Sequence, residues 1–326
     1  MSEKLRIATF NLENFDDKPD QPDQLEERIA IMKPQLKRLD ADIICFQEVN
    51  GQETPGEKRQ LLALKKLIAG TRYEDYEMIS TKTSGKEVYD ERNLVILTQF
   101  EITETKQINQ ELISPPKYKQ VTRKPEDPDA KDINWERAIL YSKIKHTNNK
   151  IFHIINLHLK SKLPVNIEGQ KIDNYTWRTS SGWAEGFFIS SMKRVGQALE
   201  ARMLIDSIFD NDEDAFIIIC GDFNATYDDV PVAAICGAVE NTGNGGLARR
   251  VMFPCEFSVP ETSRYSLIHM GRGEMIDHIL VSRPMIAYYS HTEIHNELLH
   301  DESVSFATDK KFPESDHAPV VAEFTL

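Results

Sequence analysis

The sequence predicts an α/β fold arranged as a sandwich of layered sheets, and three observations carry that prediction. Eight short runs rich in Ile, Val and Phe recur at 5–11, 42–47, 92–98, 137–144, 150–159, 215–220, 275–282 and 318–324, each of strand length. Helical patterns stand early and late in the chain, with many strands between them. No internal repeat, low-complexity tract or linker divides the sequence, so one catalytic-size domain over 1–326 is expected.

The first run, LRIATFN, is followed by Leu25, Ile29, Met32, Leu36 and Leu39, spaced by four and three. That spacing puts one apolar stripe on a helix, which Pro34 should kink. After DIICFQ a second helix is expected near 58–69, ended by Gly70, and a third near 185–209, beyond the central strands. Two polar stretches interrupt the pattern: 112–134, with Pro115, Pro116, Pro125 and Pro128, and 160–183. Loops of that length are usually functional or mobile.

Composition excludes several classes. Hydrophobic residues at 40% and charged residues at 28% make the chain too apolar for general disorder. Acidic residues outnumber basic ones by 52 to 39, and the formal charge of -13 disfavours non-specific adhesion to nucleic acid or anionic membrane, though not a locally basic groove. MSEKLRIATF has no basic segment followed by a long apolar run, and no stretch approaches the roughly 18 apolar residues of a membrane span. A cytoplasmic protein without membrane contact is expected, and no obligate protein partner is evident. Cys45, Cys220, Cys236 and Cys255 are widely spaced, the first two inside apolar runs, which favours reduced core cysteines over a disulfide framework.

The polar residues that matter fall where an apolar strand stops. Asn11 and Glu13 follow RIATF, Glu48 follows DIICFQ, and His158 lies within IINLHL. Asp222 and Asn224 follow FIIICG, Asp277 opens DHILVS, and Asp316 and His317 precede APVVAEF. Charged groups leaving a sheet at its edge can converge on one cleft without burial in the core. Taken singly each is ordinary: a strand-end carboxylate is usually solvated, and a histidine in an apolar run is more often a hydrogen-bonded core residue than a catalyst. Together, carboxylates, two amides and two histidines make a hard, oxygen-rich set suited to Mg²⁺ or Mn²⁺ rather than to structural zinc. The GDFN tetrapeptide adds weight, since Gly221 permits a tight exit while Asp222 and Asn224 share a face by the period of two.

In this order the motifs, from TFNLENF near residue 10 to SDHAPV near residue 317, resemble the endonuclease/exonuclease/phosphatase superfamily. The resemblance implies a four-layer α/β sandwich of two packed mixed β-sheets flanked by helices, with the active site at one rim. It implies that Glu48 binds the metal, helped by Asn11, Glu13 and Asp316, that Asp222 and Asn224 hold the attacking water and the phosphate, and that Asp277 orients His317. ERNLVIL resembles the deoxyribonuclease-type segment whose glutamate, here Glu91, pairs with the first active-site histidine, here His158. Abasic-site endonucleases lack that histidine. Arg137 in WERAIL resembles a phosphate-contacting arginine, and NLHLKSK, with Lys160 and Lys162, resembles bacterial nuclease-like members.

The expected chemistry is Mg²⁺- or Mn²⁺-dependent hydrolysis of a phosphodiester. Carboxylates paired with both histidines should raise their pKa. Either Asp222 or His317 could serve as the base. Nucleic acid is the expected substrate, because Glu91, His158, Arg137 and the loop carrying Lys160, Lys162, Lys171, Arg178, Tyr175, Trp177 and Trp183 mix cations with aromatics. A small-molecule or lipid phosphoester is the alternative, and a catalytically dead binding module is the reading from another class.

Overall fold

Strands that alternate apolar residues on both faces must be covered on both, and the chain meets that demand with two stacked sheets and helices outside each. The structure, a computed structural model, describes residues 3–18, 20–308 and 312–326. The first sheet contains β1 (Lys4–Phe15), β2 (Ile43–Val49), β3 (Glu77–Ser80), β4 (Asn93–Thr98), β15 (Tyr289–Ile294) and β16 (Val320–Thr325), in the order β15-β16-β1-β2-β4-β3. The second contains β5 (Glu101–Ile108), β8 (Ile139–Lys145), β9 (Ile151–His158), β10 (Phe216–Asp222), β11 (Met252–Pro254) and β14 (Asp277–Ser282), in the order β11-β14-β10-β9-β8-β5. Two small hairpins, β6 (Lys117–Tyr118) with β7 (Lys131–Asp132) and β12 (Leu267–His269) with β13 (Arg272–Glu274), lie outside them. Both sheets are mixed: β1–β2 and β9–β10 are parallel, and the other pairs are antiparallel.

Outside the first sheet lie α1 (Pro22–Leu39) and α2 (Leu62–Ile68), and outside the second α3 (Ser180–Asn211) and α4 (Val230–Cys236). The α1 stripe buries Leu25, Met32, Leu36 and Leu39 against Ala8, Phe10 and Phe46 of the sheet. Each such side chain stabilises the fold by about 1.5–3 kcal/mol. The helix runs on through Pro34 to Leu39. On the other side Ala198, Ala201, Ile205 and Phe209 of α3 pack on Ile155, Leu157, Ile217 and Ile219. Between the sheets sits a third cluster, with Leu5, Ile7, Ile43, Cys45, Ile154, Ile218, Cys220 and Ile279. All four cysteines are free and buried.

Several elements depart from the sequence expectation. The helix near 58–69 is shorter, Leu62–Ile68, because Gln60 instead bridges to Gln52. The third helix starts at Ser180, inside the stretch read as loop, where the Thr179 hydroxyl caps the Gly182 N–H at 3.0 Å. β3, β5 and β15 carry no apolar run, since they lie at or near sheet edges with much of their surface in water. The polar stretch 112–134 is tied to α3 by two buried carboxylates. Glu185 accepts from the Tyr118 hydroxyl and from the Val121 and Thr122 N–H groups, and Glu200 accepts from Gln110 N–H, Leu112 N–H and the Trp135 indole. Among the described residues no helix is long and apolar enough to cross a membrane.

β10 leaves no room for a side chain at Gly221, whose φ is +146° and whose hypothetical Cβ would lie 2.0 Å from the Leu157 carbonyl oxygen of β9. Gly221→Ala must therefore part β9 from β10 just where both deliver their polar residues. We expect a loss of roughly 3 kcal/mol or more in urea unfolding; an unchanged midpoint would show that the strands yield freely.

Candidate active site

Alternation along the strands decides which side chains enter the space between the sheets. On β1, Leu5 and Ile7 fill it and Thr9 and Asn11 come next; on β2, Ile43 and Cys45 precede Gln47. On β9, Ile154 precedes Asn156 and His158; on β10, Ile218 and Cys220 precede Asp222; on antiparallel β14, Val281 and Ile279 lead back to Asp277. The filling thus turns from apolar to polar toward one rim, and every one of these polar residues is buried. The Thr9, Gln47 and Asn156 side chains form the floor: Gln47 Nε2 donates to Asn156 Oδ1 at 2.8 Å and to Thr9 Oγ1 at 3.1 Å. Asn156 Nδ2 donates to the carbonyls of Phe46 and Val95, both at 3.0 Å.

Above that floor the residues converge. His317 Nδ1 lies 2.7 Å from Asp277 Oδ2, and His317 Nε2 lies 3.9 Å from Asp222 Oδ2 and 3.8 Å from Asp316 Oδ1. Asn11 Nδ2 reaches both Asp222 Oδ2, at 3.1 Å, and His317 Nε2, at 3.4 Å. His158 Nε2 stands 3.3 Å from Asp222 Oδ2 and 3.6 Å from Glu48 Oε1. Asn224 folds back, its N–H to Asp222 Oδ1 at 2.8 Å and its amide to Asp222 Oδ2 at 3.0 Å and the Leu159 carbonyl at 3.1 Å. Glu13 receives the Asp316 N–H at 3.2 Å, and Glu48 receives the Asn14 N–H at 2.9 Å. Glu13, Asn14, Glu48, Arg92 and Asn224 all have φ between 46° and 59°. Non-glycine residues in that left-handed region are uncommon, and their gathering where the strands end is the mark of a site held by its surroundings.

Charge separates the two histidines. Burial pushes His158 down, and Arg137 pushes it further, against the pull of Asp222 and Glu48. Burial opposes protonation of His317 too, but Asp277, Asp222 and Asp316 outweigh it and hold this imidazole well above its ordinary value. The expectation that both would rise therefore holds only for His317; at His158 burial and the Arg137 charge outweigh the carboxylates. Burial would raise Asp222, yet the hydrogen bond from His158 and the charge of His317 hold it far below the usual carboxylate range. Glu48 is likewise lowered, since His158, Arg137 and Arg92 together overcome its burial. As burial also lowers His158, Arg137 is the firm counter-charge there.

Asp316 behaves oppositely. Burial carries it up to about 8 against the pull of His317, and the Glu13 and Glu48 carboxylates push the same way; Glu13 rises mainly through burial. Asp316 Oδ1 is buried without a hydrogen-bond partner. Half-buried carboxylates crowded together with an orphaned oxygen suit a hard divalent cation, so Glu13, Glu48 and Asp316 fit such an ion, with Asn11 beside them. Ligand atoms of Asp222, Asp277 and His317 also lie within 4.8 Å of one another. There the nitrogen is a soft donor for Mg²⁺ and Asp277 is engaged by the imidazole, which favours the carboxylate set.

Of the residues singled out from sequence, Asn11, Glu13, Glu48, His158, Asp222, Asn224, Asp277, Asp316 and His317 meet at this rim. Arg137 is half-buried, faces Glu48 electrostatically, and among the described residues donates no side-chain hydrogen bond. Lys160 lies 3.8 Å from Glu136 and donates to Ser161 Oγ at 2.9 Å. Glu91 does not join them: it is exposed, and among the described residues the carboxylates paired with His158 are those of Glu48 and Asp222. The left-handed turn at Arg92 faces the segment so that Asn93, not Glu91, goes inward, where its amide binds the Val49 and Tyr89 carbonyls. Sequence reasoning missed Gln47 and Asn156, although they stand in the same alternation as Cys45 and His158. It also missed Arg28, which clamps the carbonyls of Leu12, Glu13 and Pro313 from α1 with no motif to mark it. Ser315 was passed over too, although it opens the SDH that holds Asp316 and His317; its hydroxyl donates to the Asn11 carbonyl at 2.7 Å and receives the His317 N–H at 3.1 Å.

Because Asp277 reaches the rim through His317, losses at the two positions should not multiply. His317→Ala should lower kcat on a phosphodiester by on the order of 10² to 10⁴ with the fold retained, and Asp277→Ala combined with His317→Ala should be little worse. Steady-state rates beside melting curves check this, and fully multiplicative losses would refute the pairing.

Comparison with known proteins agrees with the geometry. A search of curated protein sequences found no match. Truncated TDP2 of Caenorhabditis elegans is 13% identical, with 99% of this chain and 98% of that chain covered at a TM-score of 0.59. A mannosyl-6-phosphatase of Bacteroides thetaiotaomicron is 16% identical over 98% of each chain, also at 0.59. D. rerio TDP2 solved with a single-strand DNA product is 16% identical over 99% of each chain at 0.55. At such identities the likeness is one of fold. The sequence model described as the Endonuclease/Exonuclease/phosphatase family matches residues 8–317, and the chain belongs to that family of phosphoesterases.

Proposed function

We propose that the protein is a Mg²⁺- or Mn²⁺-dependent phosphodiesterase acting on nucleic acid. The observation that carries the hydrolytic reading is the convergence, on one buried Asp222, of the His317–Asp277 pair, His158 and the Asn11 amide, beside the crowded carboxylates Glu13, Glu48 and Asp316. Hydrolysis needs charge neutralised on the non-bridging oxygens, a positioned water and a stabilised leaving oxygen. An ion held by Glu48, Glu13, Asp316 and Asn11 would supply Lewis-acid polarisation of the phosphoryl group.

The chain's own residues supply the rest. Arg137 and Lys160 balance the phosphate charge, and His158 and the Asn224 amide, which face Asp222 and the Leu159 carbonyl in the free protein, would turn to its oxygens when it binds. Both nitrogens of His317 face carboxylates, which supports a role as an imidazolium that stabilises the transition state. Asp222, ionised and so an acceptor, orients the water and takes its proton as the new P–O bond forms, and the His317 imidazolium gives a proton to the leaving oxygen as the ester P–O bond breaks.

For the substrate, support comes from Tyr175, 85% exposed, from exposed Arg178 and Arg92, and from Lys160 on the same loop system. Lys162 contributes less, since it is bound to Glu274 at 3.1 Å and Asp229 at 3.7 Å, and Lys171 sits over the Trp177 ring at 4.3 Å. The DNA product in D. rerio TDP2 favours this reading; the Bacteroides mannosyl-6-phosphatase favours the second, a small phosphoester.

Two outcomes are expected. Chelation should abolish turnover and Mg²⁺ or Mn²⁺ restore it, while Glu48→Gln should weaken Mn²⁺ binding in calorimetry with little change in apoprotein melting. Full activity of this variant in excess chelator would exclude the metal. Rates on single-stranded oligonucleotide should exceed those on sugar phosphates, sphingomyelin and inositol phosphates, and should fall steeply with salt; Lys160→Ala with Arg178→Ala should flatten that slope. Turnover of a sugar phosphate alone would reverse the substrate assignment.

A further inference from the structure

The strand that carries Asp277 toward the rim carries a second histidine on its opposite face. His278 points away from the inter-sheet space, into the layer under α3 and α4, and is fully buried. Its Nδ1 lies 2.5 Å from Glu256 Oε1 and its Nε2 lies 2.9 Å from the Ala225 carbonyl oxygen. A carbonyl can only accept, so Nε2 carries the proton. Glu256 is held in the 3-10 turn Cys255–Ser258, and Phe223 packs edge-on against the imidazole with ring centroids 5.0 Å apart.

Ala225 directly follows Asn224, the left-handed residue that folds back on Asp222. Asn224 is thus pinned on both sides by β14 and the residue before it: Phe223 N–H donates to the Ile276 carbonyl at 2.8 Å, and the Ala225 carbonyl accepts from His278. Three successive residues, Ile276, Asp277 and His278, then hold Phe223, His317 and Ala225 in turn. A left-handed asparagine persists only where the surroundings over-determine it, and this clamp is what over-determines it.

We propose that His278, braced by Glu256, is a positioning residue that sets the phosphate-side pair Asp222 and Asn224 through the Ala225 carbonyl. The inference rests on the hydrolytic reading of the rim above. It gives a buried histidine with no access to substrate an effect on rate, exerted through one hydrogen bond on the loop that leaves β10.

The two amide isosteres separate this bond from mere packing. Gln places a donor near the Nε2 position and Asn near Nδ1, so His278→Gln should keep the bond to Ala225 and His278→Asn should lose it. On bis(p-nitrophenyl) phosphate with Mn²⁺, His278→Asn should lower kcat about 10- to 100-fold with KM changed less than about threefold, while His278→Gln retains most of the rate. In an Asn224→Ala background the His278→Asn loss should shrink to within about threefold, and in an Arg137→Ala background it should keep its full size. Equal rates for the two isosteres, or equal losses in both backgrounds, overturn the proposal. Should the wild type cleave no phosphoester, the hydrolytic reading fails, and the clamp is then judged by amide hydrogen exchange. Exchange at the Asn224 N–H should accelerate at least about tenfold in His278→Asn and stay slow in His278→Gln; the same protection in both overturns it.

Discussion

Gln47 of one sheet donates to Asn156 of the other at the level where the apolar filling between the sheets ends. The bond answers a backbone problem. β2 slips register against β4 between Phe46 and Val49, and against β1 between Asn11 and Phe15, so the ladders open just there. Asn156 Nδ2 reaches across and binds the carbonyls of Phe46 and Val95. Left unpaired, each such buried group would cost about 1–3 kcal/mol. The register slips let Glu13 and Glu48 turn off their strands, and the amide bridge makes the slips tolerable.

Once the strands open, the residues that leave them are strained and charged together. Glu13, Glu48 and Asn224 take left-handed backbone, each steadied by a partner distant in the chain: Asp316 N–H for Glu13, Asn14 N–H for Glu48, and the Leu159 carbonyl for Asn224. Arg28 ties the same end of β1 to Pro313 near the chain's last motif. The acidic groups divide into two environments. Asp222 is surrounded by imidazoles and amides and stays ionised, whereas burial, with the Glu13 and Glu48 carboxylates pushing the same way, carries Asp316 up to about 8. Environments that drive like groups apart are how one rim can offer an ionised acceptor beside a place for a cation.

The same division applies to the histidines. His317 gathers three carboxylates and is held charged; His158, with a guanidinium nearby and no solvent, is held neutral. Two imidazoles in opposite states on either side of Asp222 suit a reaction in which one donates to a phosphoryl oxygen without charge and the other balances the charge that develops.

The fold and most of the rim were legible in the chain because alternation along a strand is a local property. The apolar runs placed both sheets, and the polar residues after RIATF, DIICFQ and FIIICG, within IINLHL, and at the head of DHILVS and APVVAEF named nine residues that meet at the rim. Edge strands β3, β5 and β15 were not legible, since strands with much of their surface in water have no apolar pattern to read. What the sequence by itself determined, then, is the family, the sandwich and the list of polar strand ends. The tertiary structure alone decided which of them pair. It turned Glu91 to solvent and gave His158 the carboxylates of Glu48 and Asp222, because a one-residue backbone turn at Arg92 depends on what packs beneath it. It also brought in Arg28 from a helix, and set each ionisation, because burial and neighbouring charge exist only once residues far apart in the chain share one low-dielectric space.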